Sequence, residues 1–186
     1  MLRQFQHIVV ADFEFDLGGH ETAEAASRSG ERPRPVCMVA KELRTGKTWR
    51  LWRGEFGNSP PFPTGPEALF IAYYASAELG CFLALDWQMP ANVLDLFIEF
   101  RNRTNGLPTP AGSGLVGSLP YFGIDHFDAG EKDVMRALVL RGGPWSDEKR
   151  AQIVKYCESD VVAVDRLLPA MLPRIIFRAL SCVAAI

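Results

Sequence analysis

The sequence predicts a mixed α/β or α+β domain built on a central β-sheet, and three patterns point there. Strand-like runs open the chain, a strand gives way to a helix near its middle, and a long amphipathic run lies toward its end. Ile8 to Phe15 is rich in Val, Ile and Phe, is short enough for a strand, and ends at Leu17-Gly18-Gly19. Residues 18 to 34 mix Gly, Glu, Arg and Ser without period and read as a surface loop. Pro35 to Leu43 and Thr48 to Trp52 are β-prone runs joined by the Arg44-Thr45-Gly46-Lys47 turn, so a hairpin follows and three antiparallel strands open the fold.

Gly54 to Pro66 holds Pro60, Pro61, Pro63 and Pro66, which lack the amide donor that a helix or a central strand needs, so this stretch is a loop. Leu69 to Tyr74 is apolar and strand-like. From Ser76, a suitable N-cap, the spacing turns helical, with Leu79, Phe82 and Leu83 on one face. Asn92 to Phe97 reads as a further strand, and residues 104 to 117 as a Gly- and Pro-rich loop that leads into a short apolar segment ending at Tyr121. A helix is expected over Lys132 to Leu140. After Gly142-Gly143-Pro144, Ser146 caps a helix that carries Ile153, Val154, Cys157, Val161, Val164 and Leu168 on its buried side.

Composition bounds the function less tightly. The 186 residues fit one domain, and 48% hydrophobic with 23% charged residues matches a folded, water-soluble protein. A net charge of −2 gives no overall basic field, so binding of nucleic acid must rest on a local patch or on bound cations. Four scattered cysteines (Cys37, Cys81, Cys157, Cys182) without metal-finger spacing suggest reduced thiols and a cytoplasmic setting. The first residues lack a secretory apolar run, and no stretch approaches the ~20 apolar residues of a membrane span.

The chemistry lies in the carboxylates. Asp12 and Glu14 are two apart on the first strand and leave the same face, where two like charges repel unless a cation separates them; oxygen donors of this kind suit Mg²⁺ or Mn²⁺. A solvated strand end is the plainer account of that pair. Tyr156 and Asp160 are four apart on the last helix and share a face, while Glu158 and Asp165 on the same helix read as solvated. Glu78 falls in the first turn of its helix, where simple pairing with the positive helix end would explain it. Asp95, in the middle of an apolar segment, needs a hydrogen-bonding partner or a metal.

In this order the segments resemble the DEDD superfamily of 3′–5′ exonucleases, which share a ribonuclease H-like fold. Val10-Ala11-Asp12-Phe13-Glu14 matches the family's first motif, and Tyr156-Cys157-Glu158-Ser159-Asp160 has the Tyr-x-x-x-Asp spacing of its tyrosine subclass. That subclass includes ribonuclease D and the proofreading domains of family A DNA polymerases, and the nearest look is to the exonuclease segments of phage- or plasmid-type members. The likeness runs from Ile8 to Pro173, which implies an exonuclease domain over residues 1 to 174 and a tail over 175 to 186. Glu78 stands where the family has an Asp, and Tyr74 where it has an Asn; Asp95 is the competing acid for that second motif.

The resemblance implies two divalent cations, Mg²⁺ or Mn²⁺, bracketing the scissile phosphate about 4 Å apart. It places Asp12, Glu14, Asp160 and Glu78 as ligands and Tyr156 beside the attacking water. The implied substrate is a single-stranded DNA 3′ end, with RNA as the alternative, and the implied partner a polymerase or replication protein. Phe13, Phe15 and Tyr73 are candidates for a base-stacking surface, and Arg44, Lys47, Arg50 and Arg53 for phosphate contacts. The departures at Glu78 and Tyr74 motivate a rival reading, a degenerate domain that binds or scaffolds without cutting.

Overall fold

The structure, a computed structural model, describes residues 2–16, 18, 30, 32–125 and 129–175. Five strands, β1 (His7–Asp16), β2 (Arg34–Glu42), β3 (Thr48–Trp52), β4 (Ala68–Ala72) and β5 (Val93–Asp95), form one sheet in the order β3-β2-β1-β4-β5. The first three are antiparallel, as their hairpin pattern predicts, and β4 and β5 join parallel to β1, so the sheet is mixed. Buried Glu42 fixes the hairpin turn: Ile8 N–H, Thr45 N–H and the Thr45 hydroxyl all donate to its carboxylate.

Among the described residues five helices pack against the sheet or against one another: α1 (Ala75–Ala84), α2 (Leu96–Arg103), α3 (Leu115–Tyr121), α4 (Ala129–Leu140) and α5 (Asp147–Met171). Strand alternation sorts side chains into two cores. On one face Ile8, Val10, Val39 and Ile71 pack beneath Ile153, Cys157, Val161 and Val164 of α5, with Leu96 and Phe100 of α2. On the other, Val9, Ala11, Phe13, Met38 and Phe70 meet Phe82 of α1 and the rings of Phe62 and Trp87. The proline-rich loop therefore supplies part of this second core through Phe62.

Several sequence expectations change. The strand expected over 92 to 97 stops at Asp95, whose side chain accepts from Phe97 and Ile98 N–H and starts α2; Leu96 and Phe100 then have helical spacing, both buried. Ser76 does not cap α1: the helix starts at Ala75, and Tyr74 is the capping residue, in the left-handed region (φ 74°) with no side-chain capping bond. The apolar segment before Tyr121 is helix α3, and α4 begins at Ala129 rather than Lys132. Glu158 and Asp165 are not simply solvated, because Arg50 bonds Glu158 (Nε to Oε2, 2.7 Å) and Lys41 bonds Asp165 (2.7 Å), tying α5 to the hairpin. Ser146 does cap α5, accepting from Lys149 N–H.

Most of the expected loop over 18 to 34 lies outside the described residues, as do Cys182 and residues 176–186 of the expected tail; Ile175 is buried in the first core. Cys37, Cys81 and Cys157 are free thiols. Among the described residues no helix is long and apolar enough to cross a membrane.

Candidate active site

Alternation along β1 selects which side chains meet α5. Val9, Ala11 and Phe13 belong to the second core, so Asp12 and Glu14 leave the opposite face, continuing the row of Ile8 and Val10. Opposite them, the pairing of β1 with β2 skips a residue between Glu14 and Phe15, leaving Val36 as a bulge; such bulges re-aim side chains at the ends of ladders.

Besides its apolar packing and its ion pairs to the hairpin, the helix makes one buried hydrogen bond directly to β1 beside the acids. Cys157, fully buried, donates its thiol hydrogen to the Asp12 carbonyl oxygen at 3.2 Å. Tyr156 is its immediate neighbour and Asp160 lies three residues beyond it, so both flank the point where α5 touches β1. One carboxylate oxygen from each of Asp12, Glu14 and Asp160 falls within 4.8 Å of the others. Residues nearly 150 positions apart in sequence (12 and 160) are thereby gathered into one cluster.

Glu78 is not one of the three gathered acids but lies near enough to feel their charge. It sits in the first turn of α1, yet it is 3% exposed and does not merely face the helix end: Phe13 N–H bonds its carboxyl, and the fields of Asp12, Glu14 and Asp160 all reach it. Burial, then these three neighbours, raises its pKa well above the usual carboxylate range. Its Oε2 is buried without a hydrogen-bond partner among the described residues. An ionised carboxylate oxygen left in that state is costly unless it takes up a proton or a cation meets it. Together with three gathered carboxylates, hard oxygen donors, it fits a divalent cation such as Mg²⁺ or Mn²⁺.

The half-buried Tyr156 phenol has its pKa pushed far up, first by burial and then by Glu14, Asp160 and Asp12, with Arg136 of α4 acting in the opposite sense. It therefore stays protonated at any working pH and can orient a water without removing its proton. Arg136 carries no spacing signal in the sequence that links it to Tyr156.

Asp95 is placed differently. Its two oxygens accept from the N–H groups of Tyr74 (3.2 Å), Ala75 (2.9 Å), Phe97 (2.9 Å) and Ile98 (3.2 Å), so it caps α2 and latches the start of α1. Those bonds supply the partners its apolar setting requires. Asp95→Ala is expected to cost about 2 kcal/mol. That lowers the melting temperature by roughly 4–8 °C for a chain of this size. The same thermal scan should show the stabilisation by Mn²⁺ unchanged.

Of the aromatic candidates, Phe13 is core at 3% exposure, Phe15 packs against that core, and Tyr73 donates its hydroxyl to the Ser113 carbonyl. Among the basic candidates, Arg44 bonds the Leu2 and Phe5 carbonyls, Arg50 bonds Glu158, Arg53 bonds Asp16 at 2.8 Å, and Lys47 lies over the Trp49 ring.

No protein-family model matches the sequence, and no curated protein matches it. Among solved structures, the fold is similar to that of Trypanosoma brucei RNase D crystallised in complex with RNA U12, with a TM-score of 0.52 at 16% identity over 92% of this chain. The chain covers 66% of that protein's length. A structure of the yeast NOT1 MIF4G domain co-crystallised with CAF1 gives a TM-score of 0.48 at 12% identity, covering 92% of this chain and 82% of that one. The RNase D likeness establishes a ribonuclease H-like fold. It does not extend to polymerase proofreading domains in particular.

Proposed function

We propose that the protein is a metal-dependent 3′–5′ exonuclease of the tyrosine subclass, acting on single-stranded nucleic-acid ends. The observation that carries this reading is the gathering of Asp12, Glu14 and Asp160 within 4.8 Å on a ribonuclease H-like fold. Asp12, Glu14 and Asp160 would hold one divalent cation, and Asp12 with Glu78 a second. Bound cations would supply positive charge to the phosphodiester and make water more acidic.

The side chains do the rest. The acids fix where the phosphate can sit, since only a phosphodiester that neutralises its charge on cations can approach four carboxylates. Tyr156, kept as a neutral phenol, hydrogen-bonds the attacking water and holds it in line. The water oxygen bonds to phosphorus, the bond from phosphorus to the 3′ oxygen breaks, and a proton passes to that oxygen. The products are a nucleoside 5′-monophosphate and a strand shortened by one residue, with a new 3′-hydroxyl.

RNA stands beside DNA as substrate, a reading favoured by the RNA-bound state of the similar RNase D structure. The 2′-hydroxyl distinguishes the two. Purified protein with Mg²⁺ or Mn²⁺ should convert 5′-labelled single strands, DNA or RNA, into a ladder shortened from the 3′ end, and a chelator should stop it. Binding without shortening in either metal would instead support the degenerate domain. Tyr156→Phe is expected to lower kcat about 10–100-fold while KM and the Mn²⁺-induced rise in melting temperature are kept, because misplacing the water by about an ångström has that cost. An unchanged kcat would remove Tyr156 from the mechanism.

A further inference from the structure

A cavity of about 630 Å³ opens beyond the end of β1, between the β3 end and the connector from α4 to α5. Among the described residues its charged lining is Arg34, Arg53, Arg141 and Arg150 with one carboxylate, Asp16. In a protein of net charge −2 this concentrates cationic charge in one place. Asp16 is committed to Arg53 at 2.8 Å, and Asp147 reaches Arg150 only at 3.6 Å on an exposed surface, too loosely to quench it.

Two tryptophans organise the arginines. The Trp52 and Trp145 rings meet edge to face at 5.6 Å and 90°. Arg150 lies over Trp52 at 5.7 Å, and Arg53 over Trp145 at 5.2 Å. Indole faces restrict the guanidinium planes, so the forks are partly oriented before any ligand arrives. Gly142, at φ 73°, turns the chain out of α4, and Gly143 leaves open the space where a Cβ would strike the Trp145 ring at 2.8 Å. The connector can therefore close against Trp145 and form one wall.

The cavity is in line with the acid cluster along two elements. Asp16 is two residues beyond Glu14 on the same face of β1, about 7 Å away. Arg150 is six residues before Tyr156 on α5, about 9 Å along the axis. A chain of phosphates with one member at the carboxylates would bring its next members to the arginines. Planar guanidinium forks match phosphate oxygens, and contacts to the phosphates carry no sequence information.

We propose that this arginine–tryptophan cleft is a second phosphate subsite, which grips the sugar-phosphate backbone of the single strand whose 3′ end lies at the acid cluster. The proposal rests on the exonuclease reading of that cluster and adds where the strand runs. It makes the cleft the basic patch that the overall charge conceals, and it makes binding dependent on strand length but tolerant of sequence.

The test uses Arg141→Gln with Arg150→Gln, two exposed side chains outside the acid cluster, and leaves Arg53 in its pair with Asp16. Binding of fluorescent single strands of two to eight nucleotides is measured in chelator, across salt concentrations. The double variant should bind the longer strands about tenfold more weakly, and its log–log salt slope should fall by about 1.4, or 0.7 for each lost phosphate contact. Arg141→Gln alone should give about half the change in slope, and Lys47→Gln, at the far end of β3, none. The Trp52 and Trp145 pair should report long strands by a change in fluorescence. An unaltered slope and length dependence would overturn the proposal, as would wild-type protein that binds no strand in chelator. Failure of the nuclease reading shows separately, as absence of shortening with metal present.

Discussion

Asp12→Asn is expected to lower turnover of a single-stranded oligonucleotide by about a thousandfold or more at saturating Mn²⁺, several kcal/mol of transition-state stabilisation. Asp12 is the residue on which the site converges: α5 is pinned at its carbonyl through Cys157, and its carboxylate lies with those of Glu14 and Asp160. The substitution keeps size and shape while removing one charge, so the backbone contact and the core beneath it survive. Asp160→Asn should give a loss of the same order, and the double variant should be scarcely worse than either single one, because groups that act as a unit are not additive. Single-turnover measurement on a 5′-labelled strand checks this directly. Thermal scans should show both variants stable without metal and both losing most of the stabilisation by Mn²⁺. Residual activity within tenfold of wild type would mean that the chemistry takes place elsewhere.

How much of this was legible in the sequence varies with the length scale of each feature. The hairpin and β1 were readable because their β-prone runs are bounded by glycine-containing turns, and α5 because its apolar positions recur at helical spacing over many turns. The Asp12–Glu14 and Tyr156–Asp160 pairs were also local, set by periods of two and of nearly four. Their meeting was not local: it depends on α5 crossing β1 at Cys157, and only the resemblance to a family joined the two ends beforehand. The first-turn position of Glu78 was readable but its environment was not, since a first-turn acid on a surface helix and a buried one that feels three other carboxylates look alike in sequence. Asp95 does end a strand, as its apolar neighbours suggest, but no local signal shows that four backbone N–H groups from two helix starts converge on it. The arginine–tryptophan cleft was invisible, because its lining comes from β1, β2, β3, the α4–α5 connector and the two helices it joins.

Glu78→Gln should raise the melting temperature of the metal-free protein at pH 7–8, by about 2–4 °C for each kcal/mol recovered, and flatten its dependence on pH. The sign follows from the direction of the shift. The carboxyl is held well above its ordinary range by burial and by Asp12, Glu14 and Asp160, so the metal-free fold favours its protonated form. That contribution is fully present below the unfolded carboxylate value of about 4.3 and is lost as pH rises through the folded-state value. Wild-type protein in chelator should therefore lose stability from mildly acidic to neutral pH, and the glutamine variant, which has no proton to release there, should lose less. Cations reverse the order. At about a hundred times their dissociation constant they stabilise the wild type by about 2.7 kcal/mol, near 5–11 °C in melting temperature, and this gain should shrink in the variant because Oε2 no longer carries charge to offer. If the variant is less stable than wild type in chelator across the whole pH range, the bond from Phe13 N–H to the ionised carboxylate outweighs the repulsion, and Glu78 is a structural acid rather than a cation ligand.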